Sequence, residues 1–312
     1  MQRLTENKIV LVKRRTRLNE LVSRFNTIAQ AKFYVEHSGA DFSDYQSEDE
    51  TYQAALSSVE SSLRSLGRLQ VIDRSFLPNF LFGNDDTVVA LGQDGLVANT
   101  LKYLSTQPLL GVNPDPNRWD GVLLPFKIAD IPKIIPEVFK RGRPIKRVTM
   151  ARARLNNGQT LLGVNDIFVG PKSHTSARYV ISIGGKEEHH SSSGLIVSTG
   201  LGSTGWLKSI LAGSAGVASY MSDKHLAFRS KTEIAWDSPS LYYTVREPFP
   251  SKTTDAHLVF GKLTEDTPMK LVSLMPEHGV IFSDGIEADF LQFNSGAEAA
   301  IGIADKVGHL VV

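Results

Sequence analysis

The 312 residues carry 34 Lys and Arg against 33 Asp and Glu, a net charge of +1, so no excess of positive charge marks the chain for nucleic acid or an anionic membrane. A hydrophobic content of 41% with 21% charged residues is that of a globular protein with enough apolar material for two medium cores. The absence of cysteine excludes disulfides, thiol nucleophiles and Cys-ligated zinc.

Met1 to Lys8 is polar, and the apolar run Ile9 to Val12 is too short for a signal peptide or a membrane span; a cytoplasmic protein is expected. Lys8–Lys13 reads as a buried strand, followed from Thr16 by helical spacing of Leu18, Leu21, Val22, Phe25 and Ile28. A second helix is expected over Ser47–Gly67, with Ser47, Glu48 and Asp49 at its start and Gly67 at its stop. Leu69–Ile72, Thr87–Leu91 and Leu109–Val112 are short apolar runs of the kind that parallel strands bury on both faces. A Pro-punctuated helix is expected over Ile131–Arg141.

Beyond Arg141-Gly-Arg-Pro144 the texture changes. Strands are expected at Val148–Ala153, Thr160–Val164, Ala177–Ile183, Leu195–Thr199, Glu233–Ala235, Leu241–Val245, His257–Phe260, Met269–Ser273 and Val280–Ser283, and Glu187 to Ser193 reads as an exposed loop. The fold class expected is α/β: a Rossmann-like domain over residues 1–143, then an all-β, sandwich-like domain over 144–312 whose C-terminal tail packs back on the first.

Two glycine-bearing turns carry the chemistry. Thr87-Val-Val-Ala-Leu runs into Gly92-Gln93-Asp94-Gly95 and then a helix over Leu96–Leu104. Ligands of doubly wound sheets bind at such carboxyl strand ends. Glycines let backbone approach a phosphate, helix N-termini favour anions, and one acid can accept a hydroxyl proton. The same tetrapeptide also suits a simple Asp-Gly turn or helix cap. In Ser193-Gly-Leu-Ile-Val-Ser-Thr-Gly-Leu-Gly-Ser-Thr-Gly-Trp206 a strand again ends in glycines and hydroxyls before a helix over Leu207–Gly213. Gly200, Gly202 and Gly205 fit G-x-G-x-x-G, but that fingerprint needs a βαβ context with an acid at the end of its second strand about twenty residues on, whereas this one lies deep in a β-rich region and is followed by Ser219-Tyr-Met-Ser-Asp223. What remains is a nest for phosphate or ribose, or a tight strand-to-helix connection. His189 and His190 are adjacent and point to opposite faces of any strand, which argues against a metal pair. Asp85 and Asp86 read as a turn with Gly83 and Asn84. Arg141, Arg143, Lys146, Arg147, Arg152 and Arg154 form a basic stretch that suits a solvated strand face or attracts phosphates.

In this order the segments resemble the NAD kinase family. Gly92-Gln93-Asp94-Gly95 is similar to its Gly-Gly-Asp-Gly hallmark, Gly111-Val112-Asn113 to its Gly-Val-Asn turn and Asn165-Asp166 to its Asn-Glu pair. Ser193 to Trp206 is similar to its Asp-Gly-Leu-Ile-Val-Ser-Thr-Pro-Thr-Gly-Ser-Thr-Ala-Tyr segment, and Asp284-Gly285-Ile286 to its late Asp-Gly-Gln. The likeness spans about residues 85 to 290 and looks closer to the mitochondrial-type branch. Gln93, Ser193, Gly200-Leu201 and Ile286 depart from the family pattern.

The resemblance implies transfer of the γ-phosphoryl of ATP, or of polyphosphate, to the 2′-hydroxyl of NAD, at a site in the cleft between a nucleotide-binding domain and an NAD-binding domain. It implies Asp94 as general base. Gly92, Gly95 and Asn113 would line the nucleotide site, with Asn165 and Asp166 on NAD and Gly202, Ser203, Thr204 and Gly205 around the nucleotide. Magnesium would come with ATP, held mainly by phosphates rather than by a protein metal site. The partners expected are small nucleotides, with neither nucleic acid nor membrane, and the assembly a homodimer or homotetramer. A kinase acting on a lipid or sugar hydroxyl and a non-catalytic nucleotide-binding protein are the competing readings.

Overall fold

The computed structural model describes residues 5–222 and 234–312, and the chain divides into two compact units. One runs up to Lys146 and takes in His309–Val312; the other is Arg147–Gly308.

The first unit opens with β1 (Lys8–Lys13), whose four central apolar residues are wholly buried. Thr16 caps α1 (Arg17–Phe25) by accepting the Asn19 N–H. Instead of one helix through Ile28 there are two, because Asn26 takes the left-handed conformation and Thr27 caps α2 (Ile28–His37). The next helix, α3 (Phe42–Leu66), starts five residues before Ser47: Asp41 caps it, and Glu48, read from sequence as a helix-start acid, is buried in its second turn. There follow β2 (Arg68–Asp73), β3 (Thr87–Leu91), α4 (Asp94–Leu101), β4 (Leu109–Asn113), β5 (Phe126–Lys127) and α5 (Ile131–Phe139).

The strands pair in the order β2-β1-β3-β4-β5, all parallel. Register sets Lys13 beside Leu91 and Leu91 beside Val112, so the carboxyl ends of the three central strands form one edge. On one face Tyr52, Leu56, Val59 and Leu63 of α3 and Ile131, Ile134, Ile135 and Val138 of α5 close the core.

The second unit is antiparallel. It is built from β6 (Ile145–Leu155), β7 (Thr160–Gly163), β8 (Asp166–Pro171), β9 (Ala177–Ile183), β10 (Lys186–Ser192), β11 (Leu195–Ser198), α6 (Trp206–Ser222), β12 (Leu241–Val245), β13 (Phe260–Leu263), β14 (Met269–Ser273), β15 (Gly279–Ser283), β16 (Ile286–Gln292) and β17 (Glu298–Val311). One sheet runs β10-β9-β14-β17 with β6 and β7 added, the other β13-β12-β11-β8-β15-β16. Tyr179, Ile181 and Leu271 of the first meet Ile167, Val169, Val197 and Ile281 of the second in one core, the arrangement of a sandwich. The opposite face of the second sheet carries Phe168, Ile196 and Val280 under Trp206 and Ile210 of α6. An α/β unit followed by an antiparallel β unit is the class expected from the sequence.

The expected loop at Glu187–Ser193 is instead strand β10; His189 is exposed and His190 buried, its Nε2 2.9 Å from Glu188 Oε2. The strand expected at His257–Phe260 begins only at Phe260. Of Glu233–Ala235, Glu233 lies outside the described residues and the other two are not in a strand. Among the described residues no helix is long and apolar enough to cross a membrane.

Candidate nucleotide site

In the first unit the turn after β3 keeps to allowed backbone. Gly92 N–H donates to Val112 O at 3.2 Å, and Gln93 caps α4 at φ −113°, ψ 165°. The position where glutamine replaces glycine therefore needs no left-handed conformation. Asp94 heads α4, where a negative charge is favoured by the helix dipole. Its carboxylate accepts the N–H of Leu123 at 2.8 Å and of Val122 at 3.2 Å. A Cβ on Gly95 would meet nothing within 4 Å, so space lies open beside the acid.

Asn113 and Gly111 serve the same 114–125 loop. Asn113 is buried, its amide donating to Trp119 O at 2.9 Å and its carbonyl accepting the Asp115 N–H at 3.0 Å. A side chain on Gly111 would collide with the Leu123 carbonyl. The amide of Asn113 thus shapes the loop that holds Asp94.

Sequence reasoning missed a set of charges at this edge. Arg14 Nη2 donates to Glu48 Oε1 at 2.8 Å, Arg17 donates to Glu48 and to Asp44 Oδ2 at 2.7 Å, and Arg118 Nη2 reaches Asp44 Oδ1 at 2.6 Å. Arg118, then Arg17, holds the Asp44 carboxyl down at about 2. The available signal was Lys13-Arg14-Arg15 leaving β1 beside Leu91.

In the second unit Asp284 organises the Asn165-Asp166 pair. It adopts φ 55° and its carboxylate accepts the N–H groups of Val164 at 3.0 Å, Asn165 at 2.6 Å and Asp166 at 3.3 Å. Burial first, and then the Asp284 charge, pushes the Asp166 carboxyl up to about 7.

The glycine loop is tied to the same turn: Thr199 donates its N–H to Asn165 O at 2.9 Å and its hydroxyl to Val164 O at 2.6 Å, while Gly202 N–H donates to Thr199 Oγ1 at 3.2 Å. A Cβ on Gly202 would collide with the Asn165 carbonyl, so only glycine fits. Ser203 is buried with its hydroxyl on Gly200 O at 2.7 Å, whereas Thr204 and Gly205 face solvent. The sequence-derived residues thus gather as Gly92, Asp94, Gly95 and Asn113 in one unit and Asn165, Asp166, Gly202, Ser203, Thr204 and Gly205 in the other. Among the described residues no group of three or more His, Asp or Glu side chains is placed to hold a metal ion.

Neither a family model nor a curated protein matches the sequence. Solved structures do. An NAD kinase from Archaeoglobus fulgidus in complex with ATP aligns with TM-score 0.55 and 16% identity over 98% of this chain and 93% of its own. A yeast NADH kinase complexed with NADH aligns with TM-score 0.58 and 14% identity over 99% and 84%. The chain has the NAD kinase fold. At this identity the likeness is one of architecture, and within the NAD kinase fold the Gly92–Gly95 turn keeps its acid at the head of a helix despite Gln93.

Proposed function

We propose that this chain is an ATP-dependent phosphotransferase of the NAD kinase type, moving the γ-phosphoryl of ATP to the 2′-hydroxyl of NAD. The observation that carries the reading is Asp94: an acid at the carboxyl end of a buried parallel strand, heading a helix, with open space beside Gly95. A carboxylate has about four lone-pair positions; the amides of Val122 and Leu123 use two, leaving others to take a hydroxyl proton. Asp94 is the general base in this reading. Asn165 and Asp166, held by Asp284, contact the NAD ribose, and the 199–205 loop contacts a nucleotide. Magnesium arrives with ATP and supplies charge neutralisation on the phosphates.

The test is incubation of the purified chain with ATP, magnesium and NAD, with NADP read by a coupled dehydrogenase. NADP formation that disappears in Asp94→Asn supports the reading. No NADP, with phosphorylation of a lipid or sugar from a panel, replaces it with the competing kinase. Silence on every acceptor, with nucleotide binding retained, leaves a non-catalytic nucleotide-binding protein.

A further inference from the structure

The basic stretch around residue 141 contains a backbone oddity. Helix α5 ends with Arg141 N–H donating to Val138 O and Gly142 N–H to Glu137 O, both at 2.9 Å, and Arg141 lies at φ 55°. This is the closure in which the left-handed residue is usually glycine. Here the chain carries Arg in that position and glycine one residue later, so a conformation that L side chains resist is kept where glycine would ease it.

The Arg141 side chain lines a cavity of 390 Å³ with Arg143, Asp85, Asn84, Asn7 and Thr87, a volume within the range of about 300–1,000 Å³ usual for small-molecule sites. It lies at the amino end of β3, the opposite end of that strand from Gly92–Gly95. Arg143 spans the Phe126 ring at 5.4 Å, stands 3.4 Å from Glu137 Oε2, and keeps its buried Nε without a hydrogen-bond partner. Arg141 and Asp85 have no ion-pair partner among the described residues. Asp86 is occupied elsewhere, accepting from Lys8 at 3.0 Å and from the Gly83 N–H at 2.8 Å.

We propose that this cavity is a binding site for a small sugar phosphate. Two arginines in one lining, Arg143 with an unpartnered buried Nε, supply the charge and the forked donors that a phosphate needs. In the same lining Asp85, which has no ion-pair partner among the described residues, with Asn84, Asn7 and Thr87, suits hydroxyl groups. Val138, Phe139 and Ile145 add apolar surface for the C–H face of a sugar. The site is separate from the nucleotide reading and stands without it.

The test is calorimetric titration and thermal unfolding of the full chain with ribose 5-phosphate, inorganic phosphate and ribose, on wild type, Arg141→Gly, Arg143→Gln, Asp85→Asn and Asn165→Ala/Asp166→Ala. Ribose 5-phosphate binds wild type and raises its Tm. Binding weakens about tenfold or more in Arg141→Gly and Arg143→Gln, while Arg141→Gly without ligand melts a few degrees above wild type. Asp85→Asn weakens ribose 5-phosphate but leaves phosphate unchanged. The proposal is overturned by no binding at about 10 mM, or by unchanged binding in both arginine variants. It is equally overturned by loss of binding in Asn165→Ala/Asp166→Ala, which puts the ligand in the nucleotide site. An Arg141→Gly that melts no higher removes the strain on which the role of Arg141 rests. Phosphate or ribose binding as tightly as ribose 5-phosphate removes the sugar phosphate as ligand class.

Discussion

Asp94 anchors the loop amides and, in the proposed reaction, is also the base, and one substitution separates the two by size. Asn keeps the shape of Asp but offers one acceptor oxygen and an NH2 group, which would face the N–H of Val122 or Leu123. Asp94→Asn is therefore expected to lower kcat about a hundredfold or more, as for loss of a general base, and also to destabilise by about 1–3 kcal/mol for one unsatisfied amide. Steady-state kinetics with urea unfolding checks both; wild-type kcat with only the stability loss would make Asp94 a loop anchor alone. Asp166 bears on stability through pH. Its folded pKa of about 7 lies above the ordinary aspartate value of 3.8, so between these values the unfolded chain releases a proton that the folded chain retains. Stability from this group is then full at low pH and falls as pH rises toward 7. Asp166→Asn should melt higher than wild type at pH 8 and flatten the slope of Tm against pH from about 4 to 7; parallel Tm profiles would contradict this. Gly202→Ala should disrupt the loop and abolish NAD binding through the collision with Asn165, while Gly95→Ala, with nothing within 4 Å, folds as wild type. Circular dichroism and NAD titration of both variants decide it.

Elements were legible in the sequence where one segment carries its own pattern. Thr87–Leu91 buries all five residues and reads as a parallel strand without reference to its neighbours. Lys186–Ser192 does not: its polar residues resemble a loop, and only pairing with Ala177–Ile183, followed by burial of His190 against Tyr179, makes it a strand. The start of α3 was missed because Glu48 looks like a helix-start acid, whereas its partners Arg14 and Arg17 lie 34 and 31 residues away. The grip of the 114–125 loop on Asp94 was hidden likewise, since those amides are 28 and 29 residues distant. Which contacts fix that loop follows from burial. Asp44, 45% exposed, gives Arg118 a surface pair worth about 0–1 kcal/mol, but Asn113 is buried and satisfies Trp119 O and Asp115 N, which would cost about 1–3 kcal/mol to lose. Asn113→Ala should thus speed amide exchange at Val122 and Leu123 and lower stability clearly more than Asp44→Asn. Equal effects would mean the ion pair, not the buried amide, orders the loop.

At the scale of the molecule, the first compact unit is completed by residues from the far end of the chain. Val311 is wholly buried in the core that α3 and α5 form on the parallel sheet, and Leu310 is 1% exposed and pairs with Leu109 of β4. Val312 N–H closes the tie on Pro144 O at 3.1 Å. Burying one Leu or Val is worth about 1.5–3 kcal/mol, so the pair contributes about 3–6 kcal/mol, against a total stability of about 5–15 kcal/mol for a folded domain. Deletion of His309–Val312 should therefore strip the first unit of a large share of its stability. The Arg147–Gly308 unit has a separate core in which none of the four deleted residues takes part, so its own packing stays intact. Two units with separate cores need not unfold in one step. Calorimetry of the truncated chain should show one transition moved down by ten degrees or more, on the scale of a few degrees per kcal/mol, and a second close to its wild-type position. Loss of Asp94-dependent activity at the temperature of the lower transition would assign that transition to the unit carrying the acid. An unchanged thermogram would mean that Leu310 and Val311 add little to the core they fill.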